Sequence, residues 1–326
     1  MKPFAYQKVK NASEALKSKS ESAAFIAGGT NLIDLMKKHV AMPDVLIDIR
    51  NSVDKDVKTT PQGIQIGAML SNTALTTSAE VLSKYPLIAK AVLAGASPQI
   101  RNMASVGGNL LQRTRCPYFY DTTTPCNKRD PKSGCSAKEG ANRMSAVAGY
   151  SEECVAVHPS DLCVALAALD ARVYVQLKNG KTSTIDFKDF HTLPGSNPSK
   201  DNNLPEGALI THIAVPSNAF NQHSTYLKIR DRSSYAFALV SVAAALHLEG
   251  NIIKEARLAS GGVAHKPWRW TKAEEFLKGK PAIEATFSRA SEIAVEGLKP
   301  LSQNAFKIPM LKGAIQTALQ NCLLTH

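Results

Sequence analysis

Short apolar runs alternate with helical patterns along the first third of the chain. From their length and apolar content, buried strands are predicted at residues 24–27, 45–49 and 63–69. From apolar residues at helical spacing, helices are predicted at residues 32–36, 73–82 and 87–94. The first third is therefore expected to mix helices with sheet.

The middle of the chain predicts one further helix and then mainly antiparallel strands. The elements predicted here are a helix at residues 161–169, hairpin strands at 172–177 and 182–185, and a strand at 208–215. The pair Asn179-Gly180 suits the type I′ turn of such a hairpin. A shift in composition near residues 217–225 indicates a domain boundary.

The last hundred residues predict a hairpin followed by helices. Apolar runs at residues 236–248 and 252–260 flank the turn Glu249-Gly250-Asn251. Helices are predicted at residues 274–277, 287–298 and 310–323. Strands followed by helices are typical of an α+β fold, with an antiparallel sheet and helices on one face. We therefore divide the chain into a domain of residues 1–220 and a C-terminal α+β domain of residues 221–326.

Residues 112–145 interrupt this regular pattern. They are rich in Cys, Pro, Gly, Asn, Arg and Lys, with few aliphatic residues and no periodicity. A loop of this length without secondary structure is uncommon in a compact domain and usually has a function or a cross-link. Four of the six cysteines fall between residues 116 and 154, which indicates metal or disulfide chemistry.

Composition narrows the class of protein. A chain of 326 residues with 44% hydrophobic residues is long and apolar enough for two or three domains. The net charge of +12 allows an anionic ligand or an acidic partner subunit. Because the basic residues are scattered, we do not expect nucleic-acid binding. No apolar run reaches the length of a membrane span and no signal core follows Met1, so neither membrane insertion nor a secretory signal is expected.

Two pairs of glycines provide the first chemical signal. Gly28-Gly29 lies between a predicted strand and a predicted helix, where free helix N–H groups can bind an anion. Gly107-Gly108 follows Ser105 and precedes Asn109. Neither the Rossmann fingerprint nor the P-loop is present here. Each pair alone is compatible with a tight turn beside a capped helix. Together they suggest one ligand with two polar or anionic ends, such as a dinucleotide.

Taken together, the two loops resemble those of the flavoprotein subunits of molybdenum hydroxylases, the family of the xanthine dehydrogenase and carbon monoxide dehydrogenase medium subunits. Residues 27–32 match the first loop of that family and residues 99–109 match its second. The run His158-Pro159-Ser160-Asp161 matches a third stretch, and residues 261–267 match a run in the C-terminal domain. The resemblance covers nearly the whole chain and implies a two-subdomain FAD-binding domain of the vanillyl-alcohol-oxidase type.

The resemblance also implies FAD contacts residue by residue. The first loop would wrap the pyrophosphate, and the second would complete the phosphate and ribose contacts. Asp161 would bind the ribityl or ribose region, and Lys228 would lie near the flavin ring, where a cation favours an anionic reduced flavin. Without the resemblance, Asp161 would be a helix N-cap and Lys228 an ordinary surface lysine. The implied FAD residues are Ile26, Ala27, Gly28, Gly29, Thr30, Asn31, Leu32, Gly95, Ala96, Ile100, Ala104, Ser105, Gly107, Gly108, Asn109, Ser160, Asp161, Leu209, Ile210 and Lys228.

The cysteine spacing alone leaves several alternatives open. The intervals of nine, eight and eighteen residues fit neither a zinc ribbon nor a bacterial ferredoxin. An iron–sulfur cluster, zinc, disulfides and free thiols all remain possible. Cys163 falls in an apolar helix and is predicted to be a core residue, whereas Cys322 in the last helix is predicted to be either a core or an inert surface residue. The basic residues that could offset thiolate charge are Arg113, Arg115, Lys128, Arg129 and Lys132.

The resemblance favours one of these alternatives. Most family members run directly from the second glycine loop to the Ser-Asp stretch, whereas residues 112–154 are inserted here. A smaller branch carries such an insertion around a 4Fe–4S cluster. Residues 112–119 resemble the aldehyde oxidoreductase of the YagS type in this branch. The implied cluster ligands are Cys116, Cys126, Cys135 and Cys154.

The resemblance implies an FAD- and 4Fe–4S-containing electron-transfer subunit of a molybdenum-dependent aldehyde oxidoreductase, with no catalytic residue of its own. A large molybdopterin subunit and a small subunit with 2Fe–2S clusters would complete a heterotrimer. Electrons would pass from the 2Fe–2S clusters through FAD to an external acceptor. The alternatives are the beta subunit of a 4-hydroxybenzoyl-CoA reductase-like complex and a zinc-stapled, non-catalytic scaffold subunit. The chain would be cytoplasmic, or periplasmic by co-export with a partner that carries a twin-arginine signal.

Overall fold

The structure is a computed structural model that describes residues 1–324. The strands are β1 (Ala5–Lys8), β2 (Ala23–Ile26), β3 (Val45–Asp48), β4 (Val57–Thr60), β5 (Gly63–Gly67), β6 (Arg172–Gln176), β7 (Thr182–Asp186), β8 (Leu209–Pro216), β9 (Ser224–Ile229), β10 (Val240–Glu249), β11 (Ile252–Gly261) and β12 (Trp268–Arg269). The helices are α1 (Ala12–Ser18), α2 (Leu32–Lys37), α3 (Asn72–Thr77), α4 (Ala79–Lys84), α5 (Pro86–Ala94), α6 (Pro98–Met103), α7 (Val106–Leu110), α8 (Pro117–Tyr120), α9 (Ser136–Glu139), α10 (Asp161–Ala168), α11 (Phe187–Phe190), α12 (Thr271–Leu277), α13 (Glu284–Val295) and α14 (Lys307–Asn321).

A small parallel sheet begins the fold. Its strands lie in the order β1-β3-β2, with α1 and α2 in the connections between successive strands. The predicted elements β2, α2 and β3 are confirmed to within a residue or so at their ends. The sequence pattern missed β1 because all four of its residues are exposed and form no apolar run. β2 ends at Ile26, so the first glycine loop leaves from the end of a strand.

A five-stranded antiparallel sheet follows, in the order β4-β5-β8-β6-β7. One face of this sheet packs with α3, α5 and α10 in the largest buried core. The prediction of one helix over residues 73–82 is wrong, because the segment forms α3 and α4. Ser78 separates them: its backbone is extended, and its side chain accepts a hydrogen bond from Val81 N in the next helix.

The C-terminal sheet is antiparallel, in the order β12-β11-β10-β9. Val242, Ala244 and Leu246 share a buried cluster with residues of α12, α13 and α14, which confirms helices on one face. The alternate residues Ala243 and Ala245 belong instead to the core of the preceding domain. β10 begins at Val240 rather than at residue 236, and β9 was not predicted. The α+β fold class is confirmed, and β10 contributes one face to each of two buried cores.

The insertion of residues 112–154 consists of turns and the one-turn helices α8 and α9. Polar side chains hold this region by bonds to its backbone: Arg129 donates to the carbonyl oxygens of Tyr118 and Phe119 at 2.6 and 3.0 Å. Asn142 accepts from Gln303 N at 3.0 Å and thereby fastens the insertion to the C-terminal domain. Within residues 1–324, no helix combines the length and apolar character that crossing a membrane requires.

Candidate functional site

The first glycine loop lies directly against the end of α6. A side chain at Gly28 has no room, because a Cβ atom there would lie 1.7 Å from the carbonyl oxygen of Met103. Gly29 has a φ of +73°, a conformation that favours glycine. Because Met103 is followed by the second loop, the close approach of Gly28 brings both glycine loops to one cleft.

The first loop is fastened to the cysteine insertion rather than closed by a side-chain cap. Asn31 occupies the N-cap position of α2, but its side chain makes no capping hydrogen bond. Its Oδ1 instead accepts from Arg113 N at 3.0 Å. The alternative of a turn beside a helix capped by this side chain therefore does not apply at Asn31, because the amide oxygen has a partner in a distant segment.

The second glycine loop contacts the Ser160-Asp161 stretch. Ser105 caps α7 by accepting from Gly108 N at 3.2 Å. Gly107 is pressed against Ala68, where a Cβ atom would meet the alanine Cβ at 3.0 Å. Asn109 Oδ1 accepts a hydrogen bond from Ser160 Oγ at 2.5 Å. The structure thus brings two of the three family-like stretches into direct hydrogen-bond contact.

Asp161 and Lys228 form a buried ion pair beside this contact. Lys228 Nζ lies 2.8 Å from Asp161 Oδ2 and also donates to the Ala94 carbonyl oxygen at 3.1 Å. Their side chains are only 10% and 5% exposed, respectively, so Lys228 is not a surface lysine. Ser160 is the N-cap of α10, and Asp161 is the first residue of that helix. A Cβ atom at Gly95 would lie 2.8 Å from Asp161 Oδ2, which ties the Gly95 turn to the same carboxylate.

Tyr226 and Ser241 complete this polar cluster and were missed by the sequence analysis. Tyr226 donates its hydroxyl hydrogen to Asp161 Oδ1 at 2.7 Å, and Ser241 Oγ lies 2.9 Å from the same hydroxyl. Burial, reinforced by the Asp161 charge, raises the pKa of Tyr226 well above its ordinary value. Tyr226 and Lys228 are two residues apart on β9 and therefore face the same side. A correct prediction of β9 would have pointed to Tyr226.

The remaining FAD residues implied by the resemblance differ in burial and in the parts of the fold where they lie. Leu209 and Ile210 are both buried, but Leu209 packs with the core near the first loop and Ile210 with the core of the larger sheet. Ile100 is half-buried on α6, and Ala104 is buried just after that helix. Ala96 is exposed and has a φ of +53°. Neighbouring strand residues face opposite sides, so Leu209 and Ile210 do not face the same side of the sheet.

The four cysteines of the insertion line one pocket of about 290 Å³. Cys126 and Cys135 face each other in an isolated antiparallel bridge, and every cysteine is a free thiol. Burial raises the pKa of Cys116 to about 11 and that of Cys154 to about 12. Cys163 lies in α10, fully buried and outside this pocket, as expected for a core residue.

Three of the basic residues expected to offset thiolate charge are paired with carboxylates: Arg113 and Lys128 with Asp201, and Arg115 with Asp34. Lys128 lines the cysteine pocket, but its ammonium is ion-paired with Asp201 and lies 2.6 Å from His265 Nε2. Arg113 donates to the same Asp201 carboxylate at 2.7 Å. Burial acts to raise the pKa of Asp201, but the charges of Lys128 and Arg113 outweigh it and hold that pKa below its ordinary value. The positive charge at the pocket is therefore partly neutralised.

A second group of potential ligands lies in the interior. One ligand atom each of His158, Cys163 and His191 lies within 4.8 Å of the other two. Burial lowers the pKa of both histidines, that of His191 to about 4. His191, His265 and Lys128 lower the pKa of His158 further, and the positive charge of the Lys128 ammonium opposes a bound cation here. We assign this group to interior packing, with the two imidazole rings 4.3 Å apart.

A larger pocket of about 790 Å³ adjoins the cysteine pocket. Ser160 and Asp161 contribute to its lining, so it opens beside the buried ion pair. Thr114, Cys116 and Ala156 line both pockets. A group bound by the cysteines would therefore be separated from the larger pocket by a single layer of residues.

The comparisons with known proteins agree with this arrangement. Residues 2–218 match the family described as the FAD binding domain in molybdopterin dehydrogenase, and residues 225–321 match the CO dehydrogenase flavoprotein C-terminal domain. The chain is 45% identical over 323 residues to the aldehyde oxidoreductase FAD-binding subunit PaoB of Escherichia coli K12, covering 98% of each chain.

More distant relatives share the same domains. The glyceraldehyde dehydrogenase medium chain of Sulfolobus acidocaldarius is 29% identical over 280 residues, covering 85% of this chain and 82% of that one. A chain of the reconstituted CO dehydrogenase from Oligotropha carboxidovorans superposes with a TM-score of 0.76, at 21% identity and 99% coverage of both chains. This last likeness concerns the fold alone. With both family matches and a near-full-length relative at 45% identity, the chain belongs to the family of FAD-binding medium subunits of molybdenum hydroxylases.

Proposed function

We propose that this chain is the FAD- and 4Fe–4S-containing electron-transfer subunit of a molybdenum-dependent aldehyde oxidoreductase. The observation that carries the proposal is the wall of Thr114, Cys116 and Ala156, which the cysteine pocket shares with the larger pocket. The 45% identity with a protein named as an aldehyde oxidoreductase FAD-binding subunit supports the aldehyde class of substrate. When bound, FAD supplies one- and two-electron chemistry, and an iron–sulfur cluster supplies one-electron chemistry.

The residues of the cleft fit FAD. The glycines let the two loops pack tightly against neighbouring backbone, since a Cβ atom at Gly28 would meet the Met103 carbonyl oxygen and one at Gly107 would press on Ala68. Each loop leads into a short helix, and backbone N–H groups at such a position can bind a pyrophosphate. The Asp161 carboxylate, fixed by Tyr226 and Lys228, lies at the larger pocket, where it can accept hydrogen bonds from the ribityl chain. We place the isoalloxazine ring in the larger pocket, since Asp161 and its lysine partner lie at that end.

The cysteine pocket fits an iron–sulfur cluster. Four cysteine ligands are the usual set for a 4Fe–4S cluster, and Cys116, Cys126, Cys135 and Cys154 supply that number on one pocket. The same four residues also suit zinc, so the metal has to be measured. A bound metal would lower the pKa of thiols that burial otherwise keeps protonated. The insertion contributes Phe119 and Cys126 to a small apolar cluster that it shares with Leu35 of α2, and it would gain stability from the metal.

We further propose that the chain works in a heterotrimer with a large molybdopterin subunit and a small subunit with 2Fe–2S clusters. Names such as "medium chain" among the relatives support a complex with a larger and a smaller partner. Electrons would enter this chain from the small subunit and leave it to an external acceptor. Aldehyde-dependent reduction of a dye by the assembled complex tests both the direction of electron flow and the class of substrate. Acyl-CoA reduction without aldehyde activity would favour the reductase-like alternative.

The first experiment is to purify the full chain anaerobically and measure FAD, iron, sulfide and zinc on one sample. One FAD with about four irons per chain is the expected result. FAD with zinc, or FAD without metal, would overturn the cluster but keep the flavin assignment. Colourless protein that contains zinc would overturn both and support a scaffold subunit.

Matched cysteine variants separate ligands from core thiols. Cys154→Ala removes a pocket cysteine, whereas Cys322→Ala removes a cysteine that is 1% exposed at the end of α14. We expect iron loss in the first variant and full iron content in the second. Equal iron in both would remove Cys154 from the ligand set.

The cellular compartment of this chain depends on the partners with which it assembles. We propose that the complex is exported folded to the periplasm by a partner with a twin-arginine signal. Cell fractionation after co-expression with the partner genes gives the answer. A chain that stays in the cytoplasm with all partners present would contradict export.

A further inference from the structure

Lys307 is a buried ammonium group whose acceptors are backbone carbonyls. It is the first residue of α14 and is 0% exposed. Its Nζ donates to the carbonyl oxygens of Met144 and Ser145, both at 2.9 Å, and of Gly262 at 2.7 Å. Three carbonyl acceptors satisfy all three ammonium hydrogens, and no carboxylate of residues 1–324 forms an ion pair with this charge. The positive charge of protonated Lys307 is therefore available to its surroundings.

All three acceptor residues line the larger pocket. Met144 and Ser145 belong to the cysteine insertion, whereas Gly262 directly follows β11 in the C-terminal domain. Asn304 adds a hydrogen bond from its Nδ2 to the Ser145 carbonyl oxygen at 3.1 Å. Lys307 therefore fastens two segments that are far apart in sequence at one wall of the pocket.

The backbone at Gly262 is shaped for this contact. Its φ is +73°, which disfavours other residues. A Cβ atom there would lie 2.8 Å from the carbonyl oxygen of Leu239. The Gly262 carbonyl can point at Lys307 only while this tight turn is kept.

We propose that Lys307 is a positioning residue of the flavin pocket, which holds the wall of Met144, Ser145 and Gly262 and places a positive charge behind it. The inference rests on the proposed function, in which the isoalloxazine ring occupies the larger pocket. A nearby cation stabilises the negative charge of a reduced flavin, and buried charges are screened less than exposed ones. Removing the charge should therefore make the reduction potential of the flavin more negative.

The test is a spectroelectrochemical titration of the flavin in the assembled complex. We compare wild type with Lys307→Met, and with Lys307→Gln, which keeps hydrogen-bond donors but loses the charge. Lys312→Met is the matched control, because Lys312 lies on the same helix with a 41% exposed side chain paired to Glu292. Burial, with a contribution from Arg143, lowers the pKa of Lys307 to about 7, so the titration is run at pH 6.

We expect both Lys307 variants to lower the ratio of reduced to oxidised flavin at least tenfold at a fixed potential, about 30 mV for a two-electron couple. The Lys312→Met complex should match wild type. If the Lys307→Met chain does not assemble into the complex, the Lys307→Gln chain provides the test, since its side-chain amide can still donate hydrogen bonds to the carbonyl oxygens. A wild-type potential in the Lys307→Gln complex would overturn the inference while leaving the proposed function intact. A wild-type complex without FAD would overturn the proposed function itself.

Discussion

The Lys228 ammonium lies 2.8 Å from the Asp161 carboxylate, with both side chains almost fully buried. The two residues belong to different domains: Asp161 begins α10, and Lys228 lies on β9. The pair therefore joins the FAD-binding domain to the C-terminal sheet at the entrance to the larger pocket. Apart from the pair itself, Asp161 accepts a hydrogen bond from Tyr226, and Lys228 donates one to the Ala94 carbonyl oxygen.

Breaking this pair should destabilise the protein and release FAD. Lys228→Met leaves the buried Asp161 charge without its cation, which costs about 3 kcal/mol. The double variant Asp161→Asn with Lys228→Met should cost less than the sum of the single variants. Chemical denaturation and flavin content measure both effects. As a control, breaking the exposed pair of Lys254 and Glu249 should change stability by less than about 1 kcal/mol.

Gly28→Ala should abolish FAD binding. The added Cβ atom would lie 1.7 Å from the Met103 carbonyl oxygen, so the two glycine loops must separate. Gly313→Ala is the matched control, because Gly313 is inside α14 with open space around it. That change should stabilise the protein by about 1 kcal/mol. FAD retention by the Gly28→Ala chain would contradict the close approach of the loops.

Cys126→Ser distinguishes an electron relay from a structural staple. If the cluster relays electrons, the variant should lose turnover with at least one acceptor while its FAD content stays normal. If the cluster only stabilises the insertion, turnover stays normal with every acceptor and the melting temperature falls. Steady-state rates with several acceptors, together with thermal unfolding of the same sample, give the answer.

Stability should fall as the pH drops from about 6.5 to about 4. His191 is buried and neutral in the folded protein, with its pKa lowered to about 4, and it takes up a proton more readily when unfolded. The unfolded chain therefore binds more protons in this window, so the contribution of His191 is present above it and is lost on acidification. The loss is roughly 3 kcal/mol. His191→Gln should flatten the curve of unfolding free energy against pH, and an equally steep curve would contradict this assignment.

Local patterns determined much of the fold and part of the site. The apolar runs at β2, β3 and β10 and the hairpin between β6 and β7 depend on neighbours in the chain, so they can be inferred without a structure. The type I′ turn predicted at Asn179-Gly180 is wrong, because Gly180 has a φ of +84° whereas Asn179 does not have the positive φ that this turn needs. The paired glycines can also be recognised in the sequence, since the backbone conformation for which they are suited is a local property of the chain. The break between α3 and α4 at Ser78 was missed because the pattern of apolar residues along the sequence is the same whether a serine caps a new helix or lies inside a longer one.

Only the tertiary structure decided which distant groups meet. Cys116 and Cys154 converge on one pocket, and Lys228 reaches Asp161 over 67 residues of chain. Nothing in the local sequence distinguishes Lys307 from an exposed lysine. Its burial is possible because two other segments supply three carbonyl oxygens as acceptors. Local patterns report the conformation of each segment, whereas charge pairing and burial depend on how segments pack. The sequence by itself therefore determined the elements and the cofactor loops, and the packing determined the electrostatics of the pocket.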